Sequence, residues 1–456
     1  MGTTGTVDGA EGTGPLARVR ASGRGSFLFA MFYGGGNVDL ILPLVRRLIA
    51  RDHEVCVLAG PRLWPHLPEP IDPFLQAVKA TGAKVVALPE PAVSPHDAAP
   101  PMHGLLLGWT PRRLKKAVNI AIASRWSSIW AAATTSQLPR ERPDVVVADH
   151  FLLGAVAAAE RAGVPIAVLV HNATHPAPQH GLPPPGTGFD LARNSADRVR
   201  DLVWAAAFRR VAVRDGLPLL NRARADIGLG RVRSPFEQYQ AATRVLVLAS
   251  RTFDFPARRL PENVRYTGTI GDDVPARGWE PPWAVGDSRP LVLVSLSTLD
   301  QGQGPLMHRI LGAVGELPVR ALVTLGPSLD AAGFEAPPNA HLLTFVPHAA
   351  VLPSAAVVVT QCGLNTVTKA LLHGVPLVCI PLTADQPDNA ARVVARGAGV
   401  RLSRDSSTRE IRAAIERVLD DAAFRESARR LGGALALENG ADNAAGELEA
   451  LVQANS

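Results

Sequence analysis

Short apolar runs, each closed by a turn and followed by residues at helical spacing, recur along this chain and leave it few folds. Ser26-Phe-Leu-Phe-Ala-Met-Phe-Tyr33 is the first, followed by Gly34-Gly-Gly-Asn37 and a helical stretch from Leu40 to Ala50. Asp52 to Ala59, Asp144 to Asp149, Ile166 to His171 and Arg244 to Ala249 repeat the pattern, the last of these reading as the final strand of a first half. Runs that are apolar throughout, rather than alternating, mark parallel strands covered on both faces. The fold class that follows is α/β, doubly wound, with a Gly-rich first turn that lacks the full Gly-x-Gly-x-x-Gly spacing of a dinucleotide site. Pro275 to Pro290 is rich in Pro, Gly and Trp and reads as a linker. A second set then opens at Leu291 to Ser297 and continues through Arg320–Leu325, His341–Val346, Val357–Thr360 and Leu377–Ile380. A chain of 456 residues exceeds what one core holds. The expected division is a tail over 1–24, a Rossmann-like domain over 25–272, a linker over 273–289, and a second Rossmann-like domain with terminal helices over 290–456. Ser407-Thr-Arg-Glu410 predicts a capping box, with Ile411, Ile415, Val418 and Leu419 on the buried face of the helix it starts.

Hydrophobic residues make up 47% and charged residues 19%, a globular balance. The net charge of +6 comes from arginines scattered among acids, so nucleic acid is not an expected partner. Cys56, Cys362 and Cys379 are too few and too widely spaced for a disulfide frame or a zinc site. The first 24 residues have no apolar segment of the signal-peptide kind, and no run reaches the roughly 20 apolar residues of a membrane span. A cytoplasmic protein is expected. Pro111 to Trp126 is basic with apolar residues at helical spacing. It reads first as a helix over an acceptor pocket, with weak membrane-surface contact as the second reading. Arginines from Arg193 to Arg233, interleaved with Asp197, Asp201, Asp215 and Asp226, read as a solvated helical face. A homodimer stays open.

The stretch from Val357 to Arg392 carries the chemistry. A β-branched run ends at Thr360, and Thr360 to Asn365 turns the chain, with Gly363 the residue free to take positive φ. The helix that follows offers free amides, with the hydroxyls of Thr366 and Thr368 nearby, as a phosphate site. A second strand ends at Pro381, and the next loop presents Asp385 and Gln386, which suit vicinal hydroxyls. Phosphate on one loop and hydroxyls on the next suggest a nucleotide sugar. Between His171 and Asp190, a long Pro- and Gly-rich loop follows a strand end and predicts a mobile wall of the acceptor pocket.

This segment resembles the donor signature of nucleotide-sugar-dependent glycosyltransferases of the GT-B fold, closest to bacterial enzymes that glycosylate polyketides and other natural products. The resemblance implies two facing Rossmann-like domains with the ligand cleft between them. It implies an inverting transfer of a hexose or deoxyhexose from a UDP- or TDP-sugar to a hydrophobic small-molecule acceptor, with no cofactor and no metal. Ser297 and Thr298 would meet phosphate or sugar. Phe345, Val346 and His348 match the base-reading segment. Gln361, Gly363, Asn365 and Thr366 would hold the diphosphate, and Asp385 and Gln386 the sugar. Two positions depart from the family: Gln361 stands where His is usual, and Lys369 where many members carry Glu. Asn37 also occupies the place where many relatives keep a basic His, and an amide takes no proton at neutral pH. Asp149, His150 and His171, at strand C-termini, are the candidates to replace it, Asp149 acting directly or through His171. A non-catalytic auxiliary protein of the same fold and a sugar-nucleotide epimerase stay open as alternatives.

Overall fold

A computed structural model describes residues 23–34, 36–60, 72–88, 126–257, 259–271, 279–298 and 300–455. The expected tail, apart from residues 23 and 24, lies outside these residues. So do residues 111–125 of the basic stretch and 272–278 at the start of the expected linker.

Two parallel sheets form the molecule. The first has seven strands in the order β3-β2-β1-β4-β5-β6-β7 and the second six, β10-β9-β8-β11-β12-β13. In chain order the first sheet holds β1 (Ser26–Phe32), β2 (Glu54–Gly60), β3 (Lys84–Ala87), β4 (Val145–Asp149), β5 (Ile166–Val170), β6 (Arg244–Val247) and β7 (Val264–Tyr266). The second holds β8 (Leu291–Ser295), β9 (Arg320–Thr324), β10 (Ala340–Leu343), β11 (Ala355–Thr360), β12 (Leu377–Cys379) and β13 (Gly399–Arg401). Every residue of β1, β4, β5 and β8 is buried, as the unbroken apolar runs required. The doubly wound α/β expectation is met twice over.

Each sheet reverses its strand order once, between β1 and β4 and again between β8 and β11. Such a switch point opens a crevice at the strand C-termini, where α/β proteins bind ligands. Asn37 follows β1, and Asp149 ends β4. Ser297 follows β8, and Gln361 follows β11. The sequence-marked residues therefore cluster at the two crevices.

Several element boundaries differ from expectation. The first half ends on β7, three residues too short to announce themselves, instead of on the Arg244 strand. The second sheet gains β13 as a further edge. Asn37 lies in the first turn of the Gly36–Ala50 helix, not in the loop before it. The Ser407 capping box is present, with both of its reciprocal bonds. The terminal helix Gly440–Ala454 packs back on the first half, where Arg51 donates to Glu449 at 2.9 Å and to Asp442 at 2.6 Å. Leu448 and Leu451 are buried in the same cluster as β1 and β2.

The halves also meet at the Gln386–Ala395 helix. Arg392, buried, donates through Nε to Asp254 Oδ1 at 2.8 Å, and its guanidinium lies 4.6 Å from the Phe255 ring centre. Tyr266 Oη donates to the other Asp254 oxygen. Asp254 is fully buried, so removing its cation leaves an uncompensated charge in a low-dielectric interior. Arg392→Met is expected to lower stability by about 3–5 kcal/mol in urea unfolding. A loss below about 1 kcal/mol would show that Tyr266 and the Phe255 amide satisfy the carboxylate without the cation.

Candidate active site

On the first-half side, Asp149 is the centre. It is 1% exposed, its Oδ1 accepts from Phe151 N at 3.0 Å, and its Oδ2 faces His171 Nδ1 at 3.0 Å. Asn37 Nδ2 also reaches Asp149 Oδ2, at 3.4 Å, and donates to Phe32 O at 3.1 Å. Asn37 Oδ1 accepts from Gly34 N at 3.1 Å. Its amide is thus spent on the loop and the carboxylate. Burial pushes the Asp149 carboxyl up, but the His171 charge and hydrogen bond outweigh it and hold the group below the usual carboxylate value. Burial likewise disfavours the His171 cation, yet Asp149 wins and the imidazole sits above its ordinary value. With Nδ1–H given to Asp149, the other ring nitrogen, Nε2, carries the free lone pair. The His171 side chain keeps 14% of its surface exposed, which suits a group that must meet a ligand.

His150 sits beside this pair with a different fate. Its ring centre is 4.4 Å from that of His171, and it is 1% exposed. Burial, with the His171 charge next, lowers it to about 3, so it stays neutral. Asp149, His150 and His171 bring one ligand-type atom each within 4.8 Å of one another, the one such group found among the described residues.

The second-half side supplies the other loops. The Leu364–Leu372 helix starts at Gly363, which has φ −57°, ψ 136° and no side-chain cap. Its first amides point out of the helix end with no capping side chain. The expected positive φ at Gly363 is not found. Cys362 takes it instead, at 71°, stabilised by its amide donating to Thr360 Oγ1 at 3.2 Å. Gln361 accepts from Thr360 Oγ1 at 3.0 Å through Oε1. That fixes the amide orientation, and its Nε2 lies only 3.4 Å from where a Cβ on Gly363 would be. The neutral amide thus presents a donor beside the helix N-terminus. Asn365 donates across the cleft to Asp39 Oδ2 at 2.7 Å. Thr366 is half-buried on the same turn, and so is Lys369 further along the helix.

Asp385 stands at the start of the Gln386–Ala395 helix, after Ala384 in the left-handed region at φ 53°. It accepts from Asn389 Nδ2 at 2.8 Å and does not cap the helix. Burial raises its carboxyl above the usual value, and the His171 charge partly counters this. His171, from the first half, and Asp385, from the second, are thus close enough for the charge of each to act on the other. Gln386 is placed differently from a free sugar ligand: its Oε1 accepts from Leu382 N and Thr383 N, each at 2.9 Å, and its Nε2 donates to Gln301 Oε1 at 3.0 Å. It shapes the loop that presents Asp385. Ser297 is buried beyond β8 and Thr298 exposed beside it. Phe345 is 78% exposed, a bare ring suited to stacking, while Val346 is buried beneath and His348 opens the short His348–Val351 helix.

The sequence reading missed Gln301, Gln303, Asp388 and Asn389. Asn389 ties Cys362 O, at 2.9 Å, to Asp385, so it joins the loop after β11 to the loop after β12. Its spacing four residues after Asp385 was the available signal. Asp388 ties the Pro-rich loop, expected as a mobile wall of the acceptor pocket, to the second half. It accepts from Gly186 N at 2.6 Å and Gly188 N at 2.7 Å, and Arg401 Nη1 donates to Gly188 O at 2.6 Å. The loop is a strap fastened to the second half. Burial of Asp388 raises its carboxyl to about 6 despite Arg392 and the two amides.

The family described as "UDP-glucoronosyl and UDP-glucosyl transferase" matches residues 112–434. The chain belongs to that family and is a glycosyltransferase. It is 29% identical to the 4'-demethylrebeccamycin synthase of Lentzea aerocolonigenes, over 93% of this chain and 99% of that protein. Among solved structures, it matches the calicheamicin glycosyltransferase CalG4 with a TM-score of 0.69 at 25% identity, covering 94% of this chain and 98% of that one. The glycotransferase of kitacinnamycin, at 22% identity, shares the fold with a TM-score of 0.68 over 94% of this chain and 99% of that one. The architecture is GT-B.

Gly188 is left-handed at φ 63°, and a Cβ there would lie 2.6 Å from Pro387 Cβ. Gly188→Ala is expected to lift the strap at a cost of about 1–3 kcal/mol. Limited proteolysis should then cut between residues 176 and 190 several-fold faster, with a raised KM for the sugar donor. Unchanged cutting would show that the strap holds without this contact.

Proposed function

We propose that this glycosyltransferase moves a hexose or deoxyhexose from a UDP- or TDP-sugar to a hydrophobic natural-product aglycone, with inversion at C1 and O- or C-linkage. The acceptor class is supported by relatives named for rebeccamycin and calicheamicin. The observation that carries the mechanism is the His171–Asp149 pair at 3.0 Å, with the Asp385 carboxylate near enough to act on the imidazole.

His171 Nε2 takes the acceptor proton as the acceptor atom attacks C1. The bond from C1 to the diphosphate oxygen breaks on the opposite face, and the electron pair leaves with the nucleotide. A single displacement of this kind inverts the centre. Asp149 stabilises the imidazolium that forms and fixes the tautomer that can accept. Asp385 orients the sugar hydroxyls. The departing diphosphate gathers charge at the uncapped start of the Leu364–Leu372 helix, where amide dipoles and Gln361 Nε2 meet it. A neutral amide in place of a protonated imidazole forgoes about 1 kcal/mol of charge assistance, roughly fivefold in rate. The helix supplies the main stabilisation, and no metal is needed for the reading.

The test follows nucleotide release and product mass from UDP- and TDP-sugars with a panel of aromatic polyketide acceptors. His171→Ala is expected to lower kcat by about 10²–10⁴-fold with donor affinity little changed. A loss of less than about threefold would remove His171 from the reaction. Binding without release throughout would favour an auxiliary protein, and donor conversion without acceptor an epimerase. Asp385→Ala is expected to abolish transfer while nucleotide binding, followed by calorimetry, stays intact.

The pH profile has a definite sign. Because Asp149 holds His171 above the ordinary imidazole value, kcat/KM should rise with pH through that raised value, where the base becomes neutral. Asp149→Asn removes the charge that stabilises the imidazolium. Its acidic limb should move to lower pH while the plateau falls. An unmoved limb would mean that another group sets the titration.

A further inference from the structure

Five of the nine large apolar residues exposed among the described ones fall between Val199 and Leu219. They lie on the Ser195–Val211 helix, the π-helical turn Ala212–Gly216 and the Leu217–Asp226 helix. At about 100° per residue, Leu202, Val203, Ala206 and Val213 return to the side of Val199. Val199, Leu202 and Val203 are 59%, 62% and 60% exposed. The opposite side carries Asp201, Phe208 and Ala212, all buried, with Arg200 Nε donating to Asp201 at 2.9 Å. This helix buries Asp201 beside Phe208 and turns branched aliphatics to solvent, where an ordinary surface helix carries polar side chains.

Single exposed apolar residues need no account, but a contiguous stripe does. Its surroundings say what covers it. Residues 193–233 hold ten arginines against four aspartates and no glutamate. Arg198, Arg209, Arg210, Arg214 and Arg222 are exposed. Arg214 pairs with Asp215, whereas Arg198, Arg210 and Arg222 have no carboxylate partner among the described residues. Aliphatic side chains along one line with guanidinium groups beside them match the boundary of an anionic bilayer: the apolar groups enter the acyl edge and the cations reach lipid phosphates. A second copy of the same face would set arginines against arginines.

We propose that the Val199–Val213 face docks on anionic membrane surfaces. The attachment is peripheral, since no described helix is long and apolar enough to span a bilayer. The face belongs to the half that carries His171, so docking places the base side of the cleft near the phase where hydrophobic molecules partition. That last consequence rests on the acceptor class proposed above, whereas the docking itself does not.

The full chain is sedimented with vesicles of phosphatidylcholine mixed with phosphatidylglycerol, and with vesicles of phosphatidylcholine alone. Binding is expected to the mixed vesicles only and to weaken with salt. Arg198→Gln and Arg210→Gln should each lower the partition coefficient about fivefold. The double variant Leu202→Glu, Val203→Glu should lower it on the order of tenfold or more. Far-UV circular dichroism and transfer to a water-soluble acceptor should stay unchanged in all of them. Three results would each overturn the proposal: no binding by the parent chain, equal binding to neutral vesicles, or binding indifferent to the substitutions. Light scattering is read in parallel, and a parent dimer turned monomeric by the double variant would assign the face to a second copy instead.

Discussion

Arg392 extends its guanidinium out of the second half into a site where Asp254 of the first half has no contact with water. One turn earlier on the same helix, Asp388 holds the amides of Gly186 and Gly188. A further turn back stands Asp385, whose carboxyl feels the His171 charge. The helix from Gln386 to Ala395 is therefore gripped along one side by the first half, and the grip sets where Asp385 points. A buried ion pair adds little net stability over an apolar replacement, because desolvation consumes most of its attraction. What it supplies here is register between two domains that also meet through Asn365 and Asp39 and through Glu438 and Thr269. The terminal helix, locked through Arg51 to Asp442 and Glu449, fixes the opposite edge.

The strands were legible because burial on both faces leaves a plain signature, an unbroken apolar run, and β1, β4, β5 and β8 all wrote one. β7 and β13 did not. Val264-Arg-Tyr266 and Gly399-Val-Arg401 are edge strands with one wet side, too short for any periodicity to show. The donor loop was legible as a pattern of residue types but not as backbone. Gly363 was the obvious seat for positive φ, yet the helix needs its first turn there, and the strain moved to Cys362. Asp254 and Asp388 could not be read at all. Their partners are 138 and 200 residues away, and only the closed fold brings them together. The fastening of the strap was out of sight for the same reason, since its proline and glycine content describes the loop alone and not the carboxylate that holds it.

The wiring of the second half shows how a neutral loop can be held stiff without charge. Gln303 accepts from Gln301 N at 2.6 Å and donates to Ser328 Oγ at 3.0 Å. Gln301 accepts in turn from Gln386, whose own oxygen holds two loop amides. Three glutamines thus connect the turn after β8 to the turn after β12. Such amides are both donor and acceptor, so a buried chain of them satisfies itself. A pattern of this kind lets the loops keep their shape while leaving the uncapped helix end and Asp385 as the polar features turned toward the ligand.

The position of the proposed base follows from strand order. β1, β4 and β5 are adjacent in the first sheet, with β4 in the middle. A carboxylate at the end of β4 can be reached from the segment after β1 or from the end of β5, and Asp149 is reached from both. The first of these places is the segment after β1. Here that place holds Asn37, which donates to Asp149 without carrying charge, and the imidazole arrives from β5 as His171. Two imidazoles on one carboxylate would compete for a single oxygen and repel each other once either was protonated. His150 stays neutral beside them: it lies 4.4 Å from His171 by ring centres, and burial first, with the His171 charge next, drives it down to about 3. An amide at position 37 keeps the third partner neutral as well. The carboxylate then serves one base, and the sheet permits the exchange of sides without moving a strand.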